Sequence, residues 1–170
     1  MPADVHLFLV RHAIAEERGP AWPDDDQRPL SRDGIRKFKR VAKGLALVLP
    51  KIDVLLTSPL VRTCQTAEIL AHALSPSPRL TPFDGLRPDT TPSDAIAALR
   101  AHPVKGAVVL VGHEPMLSQL ASALLHLQGA VEFKKGAAMS IVSQGLGKRG
   151  PARLEWFLPP RLLRGLAGRG

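Results

Sequence analysis

Apolar residues recur along this chain in two rhythms. Residues 5–10 (VHLFLV) form a short, nearly continuous apolar run, and similar runs stand at residues 54–57 and 107–112. Runs of this length predict strands buried on both faces, as in the centre of a parallel sheet. Between them the spacing changes to threes and fours. Ile35, Phe38, Val41, Ala42, Leu45, Ala46 and Leu49 follow it in one segment, and Leu60, Cys64, Ala67, Leu70 and Leu74 in the next. That period predicts helices with one apolar face, so strand and helix alternate.

Two helices are predicted to begin directly after strands. Ser58-Pro59 reads as an N-cap followed by proline at the first helical position, and Glu114-Pro115 opens the segment of Met116, Leu117, Leu120, Ala121, Leu124 and Leu125 in the same way. Residues 138–142 and 154–158 have the β-branched and aromatic character to complete a sheet. Residues 19–29 and 75–92, rich in Pro, Asp and Gly, read as loops. The expected class is α/β: three layers, α/β/α, around a mostly parallel sheet of five or six strands. Residues 1–160 are expected to form the single domain. Residues 161–170, with Arg161, Arg164 and Arg169, are expected to form a short basic tail, either a short helix or frayed.

Composition narrows the setting. A chain of 170 residues, 45% of them hydrophobic, suits one domain with a sizeable core. The single cysteine, Cys64, rules out an intramolecular disulfide framework and a thiolate-rich zinc site, so the cytoplasm is the default expectation. The opening segment has no basic region, and its apolar run at residues 7–10 is too short for a signal or a membrane span. A mature soluble protein with no membrane partner is expected. Lys and Arg number 23 against 15 Asp and Glu, and the resulting +8 favours anionic partners. Nucleic acid is disfavoured, because the basic residues are dispersed, Tyr is absent and no aromatic-and-basic motif occurs.

In an open α/β sheet, ligands bind where the carboxyl ends of the strands meet their loops. Arg11-His12 follows the first predicted strand, residues 58–62 (SPLVR) the second, and residues 112–115 (GHEP) a later one. Two histidines and two arginines are thereby expected at one crevice. Like charges repel and burial adds desolvation cost, so such a set calls for an anion, and a bound phosphate offsets both terms.

The segments LVRHAIAE, SPLVRTCQTAEIL and LVGHEP resemble the three signature segments of the histidine phosphatase superfamily, also called phosphoglycerate mutase-like. With PLSRDG at residues 29–34, they resemble its short SixA-type branch. The resemblance implies a phosphoglycerate mutase-like fold without a large insertion. It further implies that His12 is phosphorylated while Arg11, Arg62 and His113 bind the phosphoryl group, with no metal and no cofactor. Elementary chemistry agrees. A neutral imidazole is a competent nucleophile, and nearby positive charge keeps His12 unprotonated. Arg11 and Arg62 offer forks of donors to phosphate oxygens, and His113, if protonated, adds a third. Arg62 also falls near a helix N-terminus, which favours an anion.

Two departures from the wider family stand out. Arg-His-Gly is replaced by Arg11-His12-Ala13, which is expected to put Ala13 in a backbone position that Gly would occupy more freely. No glutamate stands near residues 82–89 to protonate a leaving alcohol, which leaves Asp84, Asp89, His113 or solvent as the acid. A phosphoramidate is labile and makes less demand on such an acid, so phosphohistidine is the favoured substrate. Hydrolysis of a small phosphate ester is the alternative, and an inactive phosphate-binding module is a further one. The expected partner is a phosphorylated protein, such as a histidine phosphotransfer domain, or a small phosphate ester. The oligomeric state is open, with a monomer as the default. Asp24-Asp25-Asp26 reads as a solvated loop rather than a metal site, because consecutive carboxylates diverge. Arg28 reads equally as an outer substrate contact or a surface residue and stays outside the core set, and Gln65-Thr66 is expected to support packing behind Arg62.

Overall fold

The computed structural model describes residues 4–168. Six strands form one sheet: β1 (Asp4–Arg11), β2 (Val54–Thr57), β3 (Arg79–Pro82), β4 (Ala107–Gly112), β5 (Ala138–Gln144) and β6 (Arg153–Leu158). Their order across the sheet is β3-β2-β4-β1-β5-β6. β3, β2, β4 and β1 run parallel, and β5 and β6 are antiparallel to their neighbours.

The continuous apolar runs have the predicted cause. In β1, Leu7 and Leu9 pack into one buried cluster with Leu56, Leu110, Leu117 and Met139, while Phe8 and Val10 pack into another with Phe38, Leu45, Leu55 and Leu70. Successive side chains on a strand point to opposite faces, so a strand with a core on both faces must be apolar throughout. Helices α1 (Arg32–Val48) and α2 (Val61–Ala73) cover one face, and α3 (Pro92–Ala101) and α4 (Met116–Leu125) cover the other. The three layers follow from that division. It also fixes the crevice, because the connections leaving β1 and β4 depart over opposite faces of the sheet.

The structure corrects several expectations. Residues 75–92 are not only loop: they contain the edge strand β3 and a short 3₁₀ helix at Asp84–Leu86. β3 is four residues long and lies at an edge, partly exposed, so it carries no continuous apolar run to betray it. Ser58 does not cap α2, which begins at Val61 with no side-chain cap. Pro115 is itself the N-cap residue of α4, and Glu114 supplies the capping acceptor, its Oε1 receiving the Ser118 amide at 3.0 Å. Ala13 has no left-handed backbone, since His126 and Leu146 are the non-glycine residues with positive φ among the described residues.

The expected tail is packed structure as far as it is described. α5 (Pro160–Ala167) lies against α1 and buries Leu163 completely, while Arg169 is outside the described residues. Gly44 in α1 permits this approach, because a Cβ there would overlap the Leu163 carbonyl. Gly44→Ala is expected to force the two helices apart at a cost of about 1–3 kcal/mol. Thermal unfolding should show a lowered midpoint, and an unchanged midpoint would refute the contact.

Candidate active site

Sheet register brings the two histidines together. Arg11 pairs with Gly112 across the parallel β1 and β4, so the next residues, His12 and His113, leave the sheet side by side. The His12 amide donates to the Gly112 carbonyl at 3.0 Å, and the two imidazole centroids are 5.3 Å apart. β2 flanks β4 on its other side, with Thr57 opposite Val111, and the Ser58 amide donates to the Val111 carbonyl at 3.0 Å. Ser58 thereby reaches His113, and its Oγ lies 2.8 Å from Nε2. Its placement comes from strand register rather than from helix capping.

Helix α2 contributes Arg62 from its first turn. Thr66, one turn later, donates its hydroxyl to the Arg62 carbonyl at 2.7 Å and accepts the Ala13 amide at 3.1 Å. Gln65 accepts the Leu30 amide at 2.7 Å. The helix is thus tied to both ends of the loop that follows His12. Arg11 is held from the other side, with Nη1 donating to the Phe133 carbonyl at 2.6 Å.

Arg11, His12, Arg62 and His113 all line one cavity of about 370 Å³. Glu16, Glu17, Arg18, Arg28, Glu114 and Lys135 line it as well. Asp84 and Asp89, the acids considered from sequence, do not. The Glu114 side chain is engaged by the amides of Ser118 and Phe133. Arg28 is 8% exposed, which resolves its ambiguity in favour of the cavity. Arg18 and Lys135 lacked a signal in the sequence, since each is brought in by loop path, and Ser58 lies in the expected SPLVR segment but faces His113 rather than capping a helix.

The imidazoles are neutral at rest. His12 is pushed down to about 3, first by burial, with smaller contributions from the charges of Arg62, Arg11 and Lys135. Burial, rather than the positive charge expected from the sequence, is the larger cause. His113 is pushed down to about 2 by burial and by His12 and Arg62, so the protonated donor considered from sequence is not its resting form. His12 Nδ1 donates to the Ala13 carbonyl at 2.7 Å, which assigns the proton to Nδ1 and leaves the lone pair on Nε2. The guanidinium Nε atoms of Arg11 and Arg62 are buried without a hydrogen-bond partner. Buried donors are seldom left unpaired, and two at one cavity mark a place for an acceptor.

Comparison with known proteins agrees with this geometry. Residues 7–87 match the family model of the histidine phosphatase superfamily (branch 1). An uncharacterized protein of Picosynechococcus sp. is 36% identical over 147 residues, spanning 79% of this chain and 87% of that one. The protein histidine phosphatase SixA, solved with tungstate, superposes with a TM-score of 0.78 at 24% identity, covering 93% of this chain and 99% of SixA. Phosphoglycerate mutase from Bacillus anthracis gives a TM-score of 0.70 at 15% identity, with 98% of each chain covered. The chain belongs to the histidine phosphatase superfamily and has the fold shared by SixA and the phosphoglycerate mutases. Its class is therefore that of a phosphatase. No described helix is long and apolar enough to cross a membrane.

Two neutral buried histidines make stability depend on pH. In the unfolded chain each titrates near 6.5, whereas in the fold they stay neutral to about 3 and about 2. Below 6.5 the unfolded state binds more protons, so stability falls as pH falls, by up to about 1.4 kcal/mol per pH unit for each histidine. Denaturant unfolding of the wild type should lose up to about 4 kcal/mol from these two groups between pH 6.5 and 5. His12→Ala should remove about half of that slope. An identical slope in the variant would show that His12 titrates normally.

Proposed function

We propose that the chain is a metal-independent phosphohistidine phosphatase in which His12 is the nucleophile and Arg11, Arg62 and His113 hold the phosphoryl group. The state of the His12 ring carries this reading: burial keeps it neutral, and its Nδ1–H is committed to the Ala13 carbonyl. Nε2 is then the nucleophilic nitrogen. It attacks phosphorus as the bond to the leaving imidazole nitrogen breaks, and that nitrogen takes a proton from solvent, while His12 keeps its Nδ1–H. Water next attacks phosphorus, the bond to Nε2 breaks, and inorganic phosphate leaves with His12 restored.

Charge on the phosphoryl oxygens is met by fixed donors. The unpartnered Nε–H groups of Arg11 and Arg62 are buried donors still lacking an acceptor, and donors of this kind are effective in a site shielded from water. With the Ser58 hydroxyl donating to His113 Nε2, the proton of the neutral ring sits on Nδ1, leaving a further N–H donor. The tungstate in the SixA structure is also a tetrahedral oxyanion. A phosphorylated histidine on a protein suits the chain's excess of positive charge, which favours an acidic partner.

One observation favours a second reading. Glu16 and Glu17 line the cavity, so carboxyl groups are present that could protonate the alcohol of a small phosphate ester. A parallel assay with EDTA, on a phosphohistidine protein and a panel of alkyl phosphates, separates the two. Selective turnover of phosphohistidine, reduced at least about 10³-fold in His12→Ala, is expected, together with a phosphoenzyme trapped without acid. Equal turnover of alkyl phosphates would support the ester reading. Turnover that survives loss of His12 would refute the mechanism, and absence of any phosphoenzyme or turnover would leave a phosphate-binding module.

A further inference from the structure

The three consecutive aspartates at residues 24–26 lie on a partly solvated turn, as expected, but their carboxylates are hydrogen-bonded there. Each carboxylate has its own partner. Asp24 caps the short 3₁₀ helix Asp25–Gln27 by accepting the Asp26 amide at 3.0 Å, and Asp26 binds Arg87 at 2.6 Å, tying the segment to the end of the 3₁₀ helix at Asp84–Leu86. Between these two anchors, Asp25 meets the arginines of the cavity. Its Oδ2 accepts Arg62 Nη2 at 3.0 Å and its main-chain carbonyl accepts Arg62 Nη1 at 2.7 Å. Its Oδ1 accepts Arg28 Nε at 2.8 Å and lies 3.5 Å from Arg18 Nε.

A guanidinium has a distal edge, made by its two Nη atoms, and a lateral edge that includes Nε. Asp25 takes the distal edge of Arg62 twice over, while Nε remains buried and without a partner. Arg62 is 3% exposed and shares its surroundings with Arg28 and Arg18, whose charges oppose its own. Without a carboxylate, mutual repulsion would drive three long side chains apart. The Arg28 hydrogen bond holds the Asp25 carboxyl below its usual range, so the counter-charge persists at any ordinary assay pH.

We propose that Asp25 is the positioning residue of this site: by clamping the Nη edge of Arg62, and holding Arg28 beside it, it presents the free Nε edge of Arg62 to the phosphoryl group. The inference rests on the reading of Arg62 as a phosphate ligand. Asp25 touches neither substrate nor nucleophile in this scheme and acts through the two arginines. Its carboxylate must therefore remain in place when phosphate binds, rather than being displaced by it.

The test is a double-mutant cycle on the full chain with Asp25→Ala, Asp25→Asn, Arg62→Lys and Asp25→Ala/Arg62→Lys. It reads kcat/KM on a phosphohistidine protein, the dissociation constant for inorganic phosphate, and the thermal midpoint. Asp25→Ala should lower kcat/KM and weaken phosphate binding on the order of 10- to 100-fold, the scale of a misplaced binding group. Asp25→Asn keeps one acceptor oxygen and should recover part of that loss. In the Arg62→Lys background, where no second N–H edge exists to be held, removing the Asp25 carboxylate should cost little more. Full additivity, with a lowered thermal midpoint, would make Asp25 a purely structural residue and overturn the proposal. Tighter phosphate binding in Asp25→Ala would overturn it differently, by showing an internal anion that competes with substrate. If Arg62→Lys alone leaves phosphate binding unchanged, the reading of Arg62 as a ligand fails; if it weakens binding while Asp25→Ala is silent, only the role of Asp25 fails.

Discussion

The pairing of β1 with β4 is the constraint on which the site depends. Their parallel register sets Arg11 opposite Gly112, and a shift by one residue would turn His12 and His113 to different faces and exchange the two apolar sets of β1. That exchange is prevented by burial on both sides. Leu7 and Leu9 fill one core and Phe8 and Val10 the other, and all four are almost completely buried. The catalytic geometry proposed here is thus inherited from packing several residues away from it. β2 extends the same logic by placing Ser58 against His113 through its own register with β4.

What could be read from the sequence follows from this dependence on central strands. β1, β2 and β4 announce themselves because two-sided burial demands unbroken apolar runs, and the strand ends with the segments that follow them gave the four candidates that the structure brings to one cavity. Edge and surface features lack such a signature. β3 is short and partly exposed, and α5 is a short helix that opens on Pro160 with arginines between its leucines, although Leu163 anchors it completely. The Ser-Pro pair at residues 58–59 carries the same letters whether the serine caps a helix or faces a histidine, and only the three-dimensional start of α2 at Val61 separates the two. Asp25 illustrates the same difficulty. An aspartate among aspartates in a Pro-rich loop looks solvated, and its partners, Arg62 and Arg28, lie 37 and 3 residues away.

The site also shows how a cavity can gather many cations without being unstable. Arg11, Arg62, Arg28, Arg18 and Lys135 line it, but the two histidines add no charge at rest, Glu16, Glu17 and Glu114 line it as well, and Asp25 pairs with Arg62. Neutral histidines are an effect of burial before they are an effect of charge. This matters for the proposed nucleophile, because desolvation would persist with phosphate bound, whereas the repulsion from the arginines would be offset by the anion.

That difference gives the two histidines separate responses to the same ligand. A phosphate dianion in the cavity attracts protons, so by linkage its binding must raise the proton affinity of every group near it, and protonation must in turn strengthen its binding. His12 resists this on one ring nitrogen, since its Nδ1 is already committed to the Ala13 carbonyl and its Nε2 is the atom that meets phosphorus in the proposed reaction. His113 has no such covalent engagement, and its contact with the Ser58 hydroxyl is compatible with either a neutral or a charged ring, because a hydroxyl both donates and accepts. In the proposed mechanism, proton uptake on phosphate binding would fall to His113, with the Ser58 hydroxyl turning from donor to acceptor. On that reading one histidine would serve as the nucleophile while its neighbour, an N–H donor already when neutral, would gain a charge, although both are buried, neutral and have ring centroids 5.3 Å apart before the ligand arrives.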